Sequence, residues 1–441
     1  MKLRIGVCVV WFACLCSLAA ADDWPQWMGP QRDDIYRETG VVKSIPEGGL
    51  PVLWRATIHG GYAGPAVSGG RVFVTDFQPT SGKSTNDSGT RDRVHGIERL
   101  VCLDEATGTE IWNAPYDCTY QISYANGPRA TPTVDGQVVY SLGAEGDLLC
   151  LEVTTGKVVW KKQLSETYKT QAPTWGYAAH PLIYGDLLIT LAGGEGSVAV
   201  ALDKKTGEER WRALTASEIG YCPPSILKLG GKDNLMIWDA DNLNALEPLT
   251  GKVVWSKALK PRYGMSIAAP RLSSNLLFAS GIGEVSGVFP IDQRGLPGDS
   301  LWAGKPKVGV YCANSTPMLD GDLVYGSDCG SGMMIAANLR DGTRLWETFK
   351  PTTGGDRRAS HGTVFIMKHE DRYILFSETG DLVFAKLTPQ AYEEQSRMHV
   401  LDPTSECFGR SVVWSHPALA NRKLFARNDR EIVCVDLSAR N

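Results

Sequence analysis

Six short segments concentrate the side chains of this chain that could do chemistry. They read Tyr124-Ala-Asn-Gly-Pro-Arg129, Trp175-Gly-Tyr-Ala-Ala-His180, Gly220-Tyr-Cys-Pro-Pro224, Arg262-Tyr-Gly-Met265, Tyr311-Cys-Ala-Asn314 and Arg357-Arg-Ala-Ser-His361. Aromatic faces stack a flat ligand or a sugar, and an arginine fork holds a carboxylate in two parallel bonds. A multi-carboxylate quinone and a carbohydrate both suit such a set. Arg129, Trp175, His180, Tyr221, Tyr263, Tyr311, Asn314, Arg358 and His361 are therefore the candidate ligand-binding residues. The plainer alternative is that these rings and cations only pack against one another.

Other reactive residues point nowhere so specific. His180, His361 and His416 lack a recognised metal-ligand spacing, so neutral, hydrogen-bonded imidazoles are expected and no metal site is assigned. Either of the first two serves as a general base only if a substrate docks beside it. Cys102, Cys150 and Cys434 share one repeat position, which argues for buried free thiols over disulfides. Cys222 and Cys312 each follow a tyrosine, and a bridge between them is the weaker alternative. Cys329 sits in a Gly-rich turn, and nothing marks it as a nucleophile. Gly143-Ala-Glu-Gly146, Gly193-Gly-Glu-Gly196 and Gly326-Ser-Asp-Cys-Gly330 lead to strands rather than helix N-termini, so they read as hairpin turns and not phosphate loops.

The elements that position the six segments recur. Thr107-Gly-Thr-Glu-Ile-Trp112, Thr155-Gly-Lys-Val-Val-Trp160, Thr206-Gly-Glu-Glu-Arg-Trp211, Thr250-Gly-Lys-Val-Val-Trp255 and Asp341-Gly-Thr-Arg-Leu-Trp346 repeat one pattern, with a degenerate copy at Leu301-Trp302. Successive tryptophans lie 48, 51, 44, 47 and 44 residues apart, the period of a four-stranded propeller blade. Within each repeat a proline opens a short strand, as in Thr131-Pro132, His180-Pro181, Ala269-Pro270 and Thr316-Pro317. Turn signals such as Asp135-Gly136 and Asp320-Gly321 separate the runs that follow. The sequence thus predicts an all-β, eight-bladed propeller of four-stranded antiparallel blades, with seven blades as the alternative. One indole per blade fills the gap to the next, and Pro51-Val-Leu-Trp54 supplies the missing strand of the last blade. In such a ring the six segments converge on one mouth of the central channel.

The domain limits follow. Residues 1–21 read as a signal peptide: Lys2 and Arg4, an apolar run from Ile5 to Leu18, then Ala19-Ala-Ala21. A retained anchor is the alternative, disfavoured by the short run. Residues 22–50 form an N-terminal extension and 51–437 the propeller. Residues 78–96, polar and poor in large apolar groups, are expected to be a mobile surface hairpin. The 441 residues are 43% hydrophobic and 21% charged, ordinary for a folded core, and the 47 glycines suit many tight turns. A net charge of −4 leaves no broad basic face for nucleic acid.

With its Leu-Asp-x-x-Thr-Gly-x-x-x-Trp signature, clearest from Leu103 to Trp112 and Leu202 to Trp211, the chain resembles the PQQ-like (pyrroloquinoline-quinone-type) β-propeller repeat family over roughly residues 50–437. Asp22-Asp-Trp-Pro-Gln-Trp-Met-Gly-Pro30 looks like the mature start of its exported bacterial members. The resemblance implies one of two functions. The first is a non-catalytic, BamB-like binding or assembly scaffold in the cell envelope, periplasmic or secreted, engaging a protein or carbohydrate at the channel mouth. The alternative is a quinoprotein oxidoreductase that uses PQQ and calcium to oxidise an alcohol or sugar. The chain departs from the dehydrogenases: it has no vicinal Cys-Cys pair and no Cys-x-x-Cys-His. It departs from the assembly lipoproteins because Phe12-Ala-Cys14 and Leu15-Cys16 match a lipidation box poorly. The scaffold is the leading expectation.

Overall fold

A computed structural model describes residues 22–439; the expected signal peptide lies outside the described residues. Among the described residues a two-stranded hairpin joins Ser405–Cys407 to Arg410–Val412, and the other eight sheets, seven four-stranded and one three-stranded, are antiparallel and make up the ring. Each is a blade. Blade 1 runs from Ala66–Ser68 to Glu110–Ile122, blade 2 from Thr133–Asp135 to Val158–Gln163, and blade 3 from Leu182–Tyr184 to Glu209–Ala213. Blade 4 runs from Ser225–Leu229 to Val253–Ala258, blade 5 from Arg271–Ser273 to Val285–Pro290, and blade 6 from Met318–Asp320 to Arg344–Thr348. Blade 7 runs from Val364–His369 to Tyr392–His399. Blade 8 combines Ala418–Ala420, Lys423–Arg427 and Glu431–Asp436 with Val52–Thr57 from the other end of the chain. That outer strand pairs antiparallel with the last one, Ala56 opposite Ile432, so the expected closure of the final blade is present. The innermost strands of blades 8, 1, 2 and 3 touch in succession, which closes the ring.

The repeated tryptophan locks each blade to the next. Its indole N–H donates to a backbone carbonyl in the following blade: Trp54 to Glu105, Trp112 to Val153, Trp160 to Lys204 and Trp211 to Pro248. Trp255 to Gly295, Trp302 to Leu339 and Trp346 to Thr388 continue the series. The Thr-Gly turn has two reasons for its glycine. Gly251 holds a φ of 71°, and a Cβ there would lie 2.5 Å from the Trp211 ring of the preceding blade. Blade 5 lacks a regular fourth strand, yet Trp302 keeps its place through a bridge between Gly287 and Ala303. Blade 7 carries no tryptophan. Val41, Ile45 and Leu50 of the N-terminal extension fill the gap to blade 8 instead.

Two segments outside the repeat pattern join the ring. The expected hairpin over residues 78–96 is present as a ribbon extending blade 1: Ser81 pairs with His95, Asp92 pairs with Ile122 of the outer strand, and residues 82–91 form its tip. The apolar contacts come from neighbours, since Phe77 stacks on Tyr120 at 4.0 Å and 15°. The N-terminal extension is likewise a built part of the ring. Trp24 pairs with Val67 of blade 1, Val134 of blade 2 donates to Pro25, and Arg32 donates to the Pro181 carbonyl of blade 3. Arg271 of blade 5 donates to the Arg32 and Asp33 carbonyls, Ile35 pairs with Lys368 of blade 7, and Val42 donates to Leu437 beyond blade 8. Residues 24–42 therefore run as a strap across the channel, bonded to inner strands on several sides.

Candidate functional site: an aromatic cup on the propeller axis

All nine sequence-derived candidates line one cavity of about 1110 Å³. Its walls are the segments that precede the inner strands. Trp27 of the strap joins the lining beside His180 and His416, so the strap contributes to the floor of a cup. The volume is at the upper end of the ~300–1,000 Å³ usual for small-molecule sites.

The lining backbone is held in an unfavourable conformation. Tyr124 (φ 53°), Tyr263 (61°), Glu284 (61°), Lys307 (65°), His361 (58°) and Phe408 (49°) are all left-handed non-glycine residues, and all six face the cavity. Each such residue costs about 1–3 kcal/mol and persists only where the surroundings over-determine it; such residues gather at binding and catalytic sites.

Aromatic rings form two walls. Trp175 meets Tyr221 edge-on at 5.7 Å and 70°. Across the cup, Tyr124, Phe408, Trp414 and His361 cluster, with His361 stacked on Phe408 at 4.7 Å and 12°. Tyr263 stands at the rim, 64% exposed, with the Arg262 guanidinium 5.0 Å from its ring centre.

Most charged and hydroxyl groups are already engaged. The Arg129 guanidinium lines the cavity and donates to the carbonyls of Trp175, Ser123, Tyr124 and Gly127. Arg358 donates to the Gly330 carbonyl, and Tyr311 is bonded to the Lys305 backbone. Asn314 donates to Thr363 at 3.2 Å. Asp328 accepts from Ser331 and faces Arg344, which also meets Glu347.

The histidines divide by environment. Burial first, then Arg410, pushes His361 down to about 4, so its ring is neutral, with Nε2 3.5 Å from the Cys329 sulfur. Burial, Arg32 and His416 hold His180 well below the ordinary range. His180 Nδ1 accepts the Thr131 N–H at 2.8 Å, so the neutral ring carries its proton on Nε2. The ring stacks on Trp27 at 4.8 Å and 15°. His416 is different: burial lowers it, but Asp34 and the Pro417 carbonyl outweigh that and raise it. It is the cationic partner of Asp34, Nε2 to Oδ1 3.1 Å, and pins the strap to blade 8. Among the described residues no three His, Cys, Asp or Glu side chains gather as a metal site, and the eight cysteines are free and buried, Cys222 and Cys312 included.

Several lining residues escaped the candidate set. Trp414 and His416 precede the inner strand of blade 8 just as His180 precedes that of blade 3, so the x-Pro signal of Trp414-Ser-His-Pro417 could have found them. Trp27, Tyr62 and Phe408 come from segments without repeat register, and no local signal points to them.

A family model described as "Outer membrane protein assembly factor BamB" matches residues 96–348, from blade 1 to the end of blade 6. The chain belongs to this family. Its ring also resembles the solved structure of BamB from Moraxella catarrhalis, with a TM-score of 0.57 and 16% identity over 89% of this chain and 99% of that one. Quinohemoprotein alcohol dehydrogenase from Comamonas testosteroni gives a TM-score of 0.50 and 13% identity over 95% of this chain and 81% of that one. At these identities the likeness is one of fold. In sequence, 125 residues are 28% identical to quinohemoprotein alcohol dehydrogenase ADH IIB of Pseudomonas putida, covering 26% of this chain and 17% of that protein. The BamB-family match thus takes in far more of the chain than the dehydrogenase match. Among the described residues no helix is long and apolar enough to cross a membrane.

Proposed function

We propose that this chain is a non-catalytic binding or assembly scaffold of the cell envelope, whose partner enters the cup at the channel mouth. The observation that carries this reading is one aromatic cavity that gathers all nine candidates, with six left-handed residues in its lining. Export by residues 1–21 belongs to the same reading. Cleavage after Ala21 leaves Asp23 to accept from Ser68 and Gly69, and Trp24 to pair with blade 1.

The quinoprotein alternative finds little support in the side chains present. A calcium-bound quinone with several carboxylates needs a cluster of metal ligands and free cationic forks. No such ligand group gathers among the described residues; of the lining cations Arg129 spends its donors on carbonyls and Arg344 faces Asp328, while Arg262 and Lys307 are exposed at the cup. Equilibrium dialysis of the protein against PQQ and Ca²⁺, with a dye-linked alcohol and sugar oxidation assay, tests the choice. The scaffold reading expects neither stoichiometric uptake nor dye reduction. Uptake with turnover overturns it.

A further inference from the structure

The cup lining holds several hydrogen-bonding groups that the protein does not use, the Tyr62 hydroxyl among them, and two lie side by side at Thr131 and His180. Thr131 is 2% exposed, lines the cavity, and its Oγ1 has no hydrogen-bond partner among the described residues. An unsatisfied buried hydroxyl costs about 1–3 kcal/mol. Beside it, His180 carries its ring proton on Nε2, and none of the hydrogen bonds found engages that atom. The Thr131 N–H and the Trp27 ring hold the imidazole in place. Both free groups are neutral.

The walls above them select for shape. Trp175 and Tyr221 are inclined by 70°, Tyr124 and Trp414 by 70°, and Phe408 and Trp414 by 53°. The near-parallel pairs, His361 on Phe408 and Trp27 on His180, are in direct contact at 4.7 and 4.8 Å, so neither leaves a slot for a flat plate. Inclined single faces suit a chain of puckered rings whose C–H faces stack and whose hydroxyls take individual neutral hydrogen bonds. At the buried end an anion finds no free fork at Arg129, a neutral His180 and a His416 already paired with Asp34, while the lining cations Arg262 and Lys307, which have no ion-pair partner among the described residues, are exposed.

We propose that the cup binds a neutral oligosaccharide, stacked on Trp175 and hydrogen-bonded at its buried end to Thr131 Oγ1 and His180 Nε2. The proposal rests on the binding reading above and names the ligand class of that same site.

The test is a printed array of neutral and acidic glycans, followed by calorimetric titration of cellotetraose, maltotetraose and N-acetylated chitotetraose, with tetragalacturonate as the acidic comparator. At least one neutral glycan is expected to bind saturably. Thr131→Val keeps the backbone N–H and the shape, so affinity falls about tenfold while the thermal midpoint holds or rises, because an unsatisfied hydroxyl has gone. Trp175→Ala lowers affinity tenfold or more. Binding confined to acidic glycans, no glycan binding, or affinity untouched by both variants overturns the proposal. Failure here, with no PQQ-dependent turnover, removes the saccharide and leaves the scaffold; PQQ-dependent turnover removes the scaffold itself.

Discussion

Glu98 is 1% exposed and takes hydrogen bonds from the hydroxyls of Tyr116 and Tyr120 at the root of the blade 1 ribbon. Burial pushes its carboxyl up to about 7, and the two tyrosines oppose that rise without cancelling it. A carboxyl that holds its proton more tightly folded than unfolded makes stability fall as pH rises from 4.5 to about 7, and level off above. The loss is up to about 3 kcal/mol. Glu98→Gln should flatten that slope in urea unfolding followed across pH. His416 carries the opposite sign. Its pKa is raised by Asp34, so its contribution is full below its ordinary value and is lost as pH rises through the folded one. Asp34→Asn removes the partner and leaves burial, so the His416 titration seen by nitrogen NMR should move below 6.5, the ordinary histidine value. No movement would contradict the ion pair. Glu98 carried no signal in the sequence and His416 read as a neutral imidazole, because the environment of each is made by segments distant in sequence.

The Thr-Gly turn was legible because its pattern is local: a turn that needs positive φ, followed at a fixed distance by the tryptophan. Its second partner, the indole of the preceding blade, became visible only in three dimensions. Gly251→Ala should cost about 1–3 kcal/mol by overpacking on Trp211. Gly136→Ala, where nothing lies within 4 Å, should cost only its backbone strain of about 1 kcal/mol. Equal shifts in thermal midpoint would show that the indole contact is unimportant. The strap and the ribbon are the two elements whose packing the sequence left unread. Both are polar or irregular in sequence, and their apolar residues bury against blades that no local pattern names. Trp24 and Tyr36 are each 2% exposed. Trp24→Ala should therefore lower stability by about 3–5 kcal/mol, measured by urea unfolding. A shift under about 1 kcal/mol would mean that the strap is not an integral part of the ring.

At the scale of the whole molecule, an eight-bladed ring with a closing strand could be read from tryptophan spacing and from the three-strand remainder after residue 414. The candidate site was legible to the same extent, since the segments before inner strands must meet at one mouth whatever they contain. What they do there was not legible, because the engagement of Arg129 and the freedom of Thr131 depend on exact side-chain partners. Closure makes a quantitative claim: Trp54 seals blade 8 to blade 1 as Trp346 seals blade 6 to blade 7. Trp54→Ala and Trp346→Ala should lower the thermal midpoint by similar amounts; a much milder Trp54 variant would mean a ring that is barely shut. The central claim is that a partner enters the cup. Site-specific photo-crosslinking tests it most directly, with benzophenone placed at Tyr263 or Phe408 in the mouth and at Leu249, 66% exposed and outside the cup lining. The account predicts adducts in the cell envelope from the mouth positions and none from Leu249. Adducts from Leu249 alone would contradict it.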